Sequence, residues 1–100
     1  MDKIKFIRCM VPCEELLAQL AEEATELAHA ALKMRRVSGV KNPTPVSFEV
    51  AYANLKEEIA DVMLCLQTLG VAAEPGAYQE KIDAKLERWV NRLNATIKQN

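Results

Sequence analysis

The sequence has little of what many catalytic and binding sites require. Of its 100 residues only three are glycine and one is histidine. The isolated glycines cannot form the glycine-rich loop that cradles phosphates. The single histidine, His29, leaves a serine or cysteine triad incomplete, and Glu26-x-x-His29 is one of the two such motifs that a di-iron helix bundle needs. None of these classes of enzyme is therefore expected.

The cysteines do not predict a structural role either. Cys9, Cys13 and Cys65 are odd in number and contain no Cys-x-x-Cys pair, so neither a disulfide framework nor a zinc ribbon is expected. With His29 as the only other soft ligand, a closed zinc site of four ligands is disfavoured. Free thiols fit a reducing compartment, and the expected location is the cytoplasm.

Neither charge nor hydrophobicity is concentrated in one part of the chain. Thirteen scattered Lys and Arg residues balance fourteen acids, so the basic patch of a nucleic-acid-binding protein is missing. The longest run without charge, residues 62–73, is shorter than the roughly 18 apolar residues of a membrane span. The first twelve residues mix acid and base and do not resemble a signal peptide. One small soluble domain, residues 1–100, is predicted, without a membrane or nucleic-acid partner.

Two clusters of turn-forming residues, 38–45 and 70–76, divide the chain into three stretches of good helix formers. Apolar residues recur at steps of three and four in each stretch, and no segment alternates with the period of a strand. An all-α fold with three main amphipathic helices is predicted. Its boundaries are Pro12 and Arg35-Arg36 for the first helix, Ser47 as N-cap and Gly70 as terminator for the second, and a start after Pro75 for the third.

Helices of this length enclose only a thin core in so short a chain. Each is about 30 Å or longer at a rise of 1.5 Å per residue, and a small domain buries a modest fraction of its surface. We therefore expect self-association that completes a bundle of four or more helices, in a homodimer or a homotetramer.

Two pairs of acidic residues, each one helical turn apart, lie on neighbouring predicted helices. Glu23 and Glu26 border the apolar arc of the first helix. Glu58 falls inside the apolar arc of the second helix, where an unpaired carboxylate is costly, and Asp61 lies at its edge. Antiparallel packing of these faces would bring four carboxylates together without a basic neighbour. Divalent cations that prefer oxygen ligands, magnesium or manganese, would offset the repulsion.

The same residues carry a resemblance to a known family. Glu22-Glu23-x-x-Glu26, followed after a loop by Glu58-x-x-Asp61, resembles the acidic signature of the MazG-like nucleoside triphosphate pyrophosphohydrolases, which are all-α NTP pyrophosphatases. The flanking segments LAEEATELAHAALKMRR, NPTPVS and NLKEEIADVMLCL are similar to phage-type and bacterial members, over roughly residues 12 to 70.

The resemblance implies a function and a role for each site residue. The expected reaction is hydrolysis of a (deoxy)nucleoside triphosphate to the monophosphate and pyrophosphate, in nucleotide-pool housekeeping. The resemblance makes Glu22 the base that activates water, and it makes Lys85, Arg88 and Arg92 of the third helix the candidates for neutralising the triphosphate. Trp89 stands where the family commonly has Asn, and it also continues the apolar stripe of that helix. The implied metal ligands are Glu23, Glu26, Glu58 and Asp61.

A second interpretation stays open from the residues alone. Acid pairs three residues apart are common on solvated helix faces, so the chain could be a non-catalytic helical module that dimerises or docks a partner. Glu58 discriminates between the two hypotheses, because an interaction module has little reason to keep a carboxylate within an apolar arc.

Overall fold

A computed structural model describes residues 1–39, 45–70, 76 and 78–99. These residues form α-helices and no strand, which confirms the all-α prediction for this part of the chain. The three long helices that the sequence predicts are present, and a fourth, shorter helix forms before Pro12. The helices are α1 Lys3–Met10, α2 Cys13–Ser38, α3 Phe48–Leu69 and α4 Gln79–Gln99.

The ends of α3 are fixed by the residues that the sequence indicated. The Ser47 Oγ accepts a hydrogen bond from the backbone N–H of Val50 at 3.2 Å, as an N-cap does. Gly70 ends the helix in the left-handed conformation with φ of 78°, and its N–H donates to the carbonyls of Leu66 and Gln67. Both predictions are confirmed, whereas residues 40–44 and 71–75 of the predicted turns lie outside the described residues.

The helices α2 and α3 pack against each other in antiparallel fashion and form most of the core. Leu16, early in α2, lies with Cys65, late in α3, and Ala30, late in α2, lies with Asn54, early in α3. The buried side chains in the described residues are few and mostly small: Leu16, Ala30, Ala51, Cys65 and Thr68. Within the same residues no helix is long and apolar enough to cross a bilayer.

The three cysteine thiols are all free. Cys9 and Cys13 are exposed on either side of the turn between α1 and α2, whereas Cys65 is buried. The Thr68 hydroxyl, also buried, donates to the Cys65 carbonyl at 2.9 Å and thereby satisfies its own hydrogen-bonding requirement.

The last helix, α4, is a long amphipathic helix that covers little of the rest of the chain. Every side chain from residue 79 to residue 98 is exposed, including Trp89, of which 58% is accessible. The radius of gyration is 18.0 Å, compared with about 13 Å for a compact chain of this length. The apolar stripe of α4 is therefore exposed.

The short helix α1 is held by one long-range interaction. Its N-terminus is capped by Asp2, whose Oδ1 accepts from the Lys5 N–H at 3.1 Å. Near its other end, the Arg8 guanidinium donates to the carbonyls of Thr68 at 2.9 Å and Gln67 at 2.6 Å. These carbonyls close the C-terminus of α3, where a positive charge is favourable.

Gly70 is required at this contact for a second reason besides its backbone conformation. A Cβ at this position would lie 3.1 Å from Cζ of Arg8, so the guanidinium sits directly over the glycine. The positive φ favours glycine at this position, and a Cβ here would also require the Arg8 guanidinium to shift by a few tenths of an ångström.

Replacing Arg8 with methionine is expected to lower the free energy of unfolding by about 1 kcal/mol, because two charge-assisted hydrogen bonds at a partly exposed site are lost while the aliphatic stem is kept. Urea unfolding at a fixed protein concentration measures the change. Lys5→Met is the control, since it removes one positive charge from α1 without touching α3. Equal stability of the two variants would contradict this role for Arg8.

Candidate metal centre

Three carboxylates converge at the middle of the α2–α3 interface. Glu23 and Glu26 lie one turn apart on α2, and Glu58 faces them from α3. One oxygen from each of the three lies within 4.8 Å of the others. This set, the acidic triad, has the spacing of groups that could bind one cation from three sides.

Burial makes the acidic triad unusual. Glu23 and Glu58 are half-buried, whereas Glu26 is exposed. The Oε2 atoms of Glu23 and Glu58 are buried and have no hydrogen-bond partner among the described residues. A carboxylate oxygen that has lost its water without gaining a donor is uncommon in a folded protein. A cation with free coordination positions would satisfy both oxygens.

The electrostatics of the acidic triad agree with its geometry. Burial raises the pKa of Glu23 and of Glu58 above the ordinary glutamate value, and the charges of Glu26 and Asp61 raise both pKa values further. Burial is also the main reason that the pKa of the Cys65 thiol is raised, with smaller contributions from Glu23 and Asp61. Every cause acts in the same direction, so these groups experience a negative environment, and no basic side chain among the described residues lowers their pKa values.

The remaining two acids of the predicted site lie beside the acidic triad. Asp61 is exposed and does not belong to the set whose atoms lie within 4.8 Å, although its charge raises the pKa of Glu23 and of Glu58. Glu22 is exposed on α2 and is also outside this set. The structure thus brings three of the four predicted metal ligands together and leaves the fourth at the edge.

The basic residues predicted on the last helix are not brought to the acidic triad within one chain. Lys85, Arg88 and Arg92 lie together on one side of α4 and line a shallow depression with Trp89 and Asn91. Among the described residues α4 makes no extensive contact with α2 or α3, so a single chain does not place these side chains at the acidic triad.

Two depressions of different character adjoin the acidic triad. On the Glu23 side, a cleft of about 130 Å³ lies beneath α1, with Ile7, Val11 and Leu64 among its apolar walls and Asp61 at its edge. On the other side, a groove of about 180 Å³ lies between α2 and α3. We call it the polar groove, and it is lined by Glu26, His29, Ala30, Lys33, Asn54 and Glu58.

The polar groove contains residues that sequence reasoning did not select. His29, Lys33 and Asn54 are not among the site residues that the sequence predicts. The available signal was the spacing of Glu26, His29 and Lys33, which are three and four residues apart and so share one helix face. Their approach to Asn54 depends on the register of two helices, which periodicity does not give.

No family model, curated protein or solved structure matches the chain. The acidic geometry therefore carries the functional argument.

Replacing Glu58 with the nearly isosteric glutamine is expected to stabilise the metal-free protein at neutral pH, because it removes a half-buried charge that faces two others. The folded-state pKa of Glu58 is raised, so the folded state binds the proton more tightly than the unfolded state and wild-type stability increases as the pH falls through that raised pKa. The advantage of Glu58→Gln should therefore shrink between neutral pH and the ordinary glutamate pKa. Urea unfolding in chelator at several pH values measures this.

Glu57→Gln is the matched control, because Glu57 is the exposed neighbour of Glu58 on the same helix and lies outside the acidic triad. It is expected to shift the urea midpoint less and with a weaker dependence on pH. If the two variants behaved alike, Glu58 would be an ordinary solvated carboxylate.

Proposed function

We propose that the protein is a magnesium-dependent nucleoside triphosphate pyrophosphohydrolase that converts a (deoxy)nucleoside triphosphate to the monophosphate and pyrophosphate. The observation that supports this most directly is the pair of buried, unpartnered oxygens of Glu23 and Glu58, which face each other and Glu26. The resemblance of the acidic motifs to MazG-like enzymes supplies the bond that is cleaved. Nucleotide-pool housekeeping in the cytoplasm is the corresponding role.

In this proposal the acids divide two tasks between them, cation binding and proton transfer. Glu23, Glu26, Glu58 and Asp61 would hold magnesium or manganese. Such a cation lowers the pKa of a coordinated water and neutralises the phosphates. Glu22, on the exposed side of α2, accepts the proton that the attacking water loses. Lys85, Arg88 and Arg92 neutralise the triphosphate from the opposite side.

The proposal requires a homodimer or homotetramer, because α4 supplies its basic residues to another copy. The exposed stripe on α4 and the exposed apolar residues on α2 and α3, among them Leu17, Ile59 and Met63, would cover one another in such an assembly. Apolar burial drives this association, and the positive side chains of α4 are attracted to the negative acidic triad.

A non-catalytic interaction module is the second candidate, and the open apolar stripe of α4 favours it. This hypothesis explains α4 but gives no reason for two buried carboxylate oxygens without partners. Magnesium distinguishes the two, since it stabilises a protein that binds it in the folded state.

Purified protein with magnesium or manganese is expected to release pyrophosphate and the monophosphate from at least one nucleoside triphosphate, across a panel of common and damaged nucleotides. Chromatography of the products identifies the bond that is cleaved, and chelator should abolish the reaction. Glu58→Gln should lower kcat/KM by at least about 10- to 100-fold, the loss typical even of residues that only support a metal ligand.

Glu57→Gln serves again as the control for that reaction. Release of orthophosphate with a diphosphate product, or no turnover on any nucleotide, would overturn the proposed activity. In the second case, a magnesium-independent thermal stability would favour the interaction module.

Replacing Lys85 or Arg92 with alanine is expected to reduce kcat/KM while magnesium binding and assembly are kept. A mixture of Glu58→Gln and Arg92→Ala proteins should regain activity after subunit exchange, because one mixed site then has an intact acidic triad and an intact α4. Random exchange in a symmetric dimer restores about a quarter of the wild-type sites. A mixture no more active than its components would exclude a site shared between subunits.

A further inference from the structure

The polar groove contains a lysine that the acidic triad does not use. Lys33 lies two turns beyond Glu26 on the same face of α2, with His29 between them. Seven residues of helix separate Glu26 from Lys33, which is about 10 Å along the axis. The carboxylates therefore occupy one end of the polar groove and the ammonium group occupies the other.

Lys33 is half-buried, and within the described residues no hydrogen bond or ion pair to its ammonium group is found. An ammonium group without an acceptor in its own chain is available to an anionic ligand. Ala30, which is only 3% exposed, also lines the polar groove.

The walls of the polar groove beyond the acidic triad offer mainly hydrogen-bond donors. The Lys33 ammonium has three N–H donors, the Asn54 amide has two, and the His29 ring has at least one. Asn54 lies one turn before Glu58 on α3, across the polar groove from α2. Hydrogen-bond donors line both walls, and the neighbouring carboxylates could hold a cation. This arrangement suits an anion that contacts the donors and the cation at the same time.

We propose that the polar groove binds the phosphate chain of the substrate, with Lys33 as its cationic contact and Asn54 and His29 as additional donors. This inference rests on the proposed function, because the cation at the acidic triad anchors the same chain. This role of the polar groove differs from the role of α4, because Lys33, Asn54 and His29 belong to the same subunit as the acidic triad and need no second copy of the chain.

The alternative role for Lys33 is to weaken the repulsion within the acidic triad without contacting phosphate. The two roles predict different results. If Lys33 acted on the acids alone, removing its charge would tighten magnesium binding and leave phosphate binding unchanged. If it contacts phosphate, removing its charge weakens phosphate binding at saturating magnesium.

The test uses inorganic tripolyphosphate as the probe, with magnesium in excess, in calorimetric titrations of the full chain. Lys33→Met is expected to weaken tripolyphosphate binding by about 10- to 100-fold, as the loss of a hydrogen bond to a charged group does. Lys33→Arg keeps the charge and should retain most of the affinity. Asn54→Ala removes a neutral donor and should cost about 2- to 10-fold.

Lys56→Met is the matched control. Lys56 is exposed on α3, and its Nζ lies over the Tyr52 ring at 4.7 Å, so it lies outside the polar groove. Its replacement should change tripolyphosphate affinity by about twofold or less. Circular dichroism of each variant verifies that the helices are intact, and Lys33→Arg provides a folded reference at the same position.

Two results would overturn the inference, and they are distinguishable. If wild-type protein hydrolyses nucleotides but Lys33→Met binds tripolyphosphate as wild type does, the polar groove has no such role and the proposed function stands. If wild-type protein binds neither magnesium nor tripolyphosphate, the proposed function fails together with the inference.

Discussion

The repulsion among three carboxylates between two packed helices is the constraint on which the rest of the molecule depends. Glu23 and Glu58 each hold one buried oxygen without a donor, in an interface whose buried side chains are few and mostly small. A core this small provides a low free energy of unfolding, and each unfavourable charge lowers it further. An arrangement that destabilises the chain in this way is typical of a binding site whose ligand compensates for it.

The surroundings of the acidic triad differ on its two sides, and the difference follows from the antiparallel packing of α2 and α3. Toward the N-terminus of α2 the apolar cleft is closed by α1, which Arg8 holds on the end of α3. Toward the C-terminus of α2 the polar groove carries Lys33 and Asn54. The acidic triad therefore lies between a mainly apolar cleft and a polar groove.

Local rules predicted the parts of the structure that depend on neighbouring residues. Ser47 and Gly70 act through the three or four residues beside them, so the ends of α3 followed from the sequence. The convergence of Glu26 and Glu58 needed one added assumption, antiparallel packing. Two features were out of reach: α1 depends on Arg8 meeting carbonyls about sixty residues away, and the polar groove depends on the register between Lys33 and Asn54.

The position of the basic residues on α4 relates self-association of the chain to the proposed phosphate chemistry. On a helical wheel with Leu86 at zero, the apolar stripe covers about 300° to 40°, whereas Lys85 and Arg92 fall at about 260° and 240°. Lys85 and Arg92 therefore border the apolar stripe on the side of Trp89. A surface that covers Trp89 has these two positive charges at its edge. Trp89, which stands where the MazG-like family commonly has asparagine, thus adds apolar contact area beside the two basic residues. In the proposed assembly, burial of that tryptophan fixes α4, and the fixed helix aims Lys85 and Arg92 at the neighbouring copy.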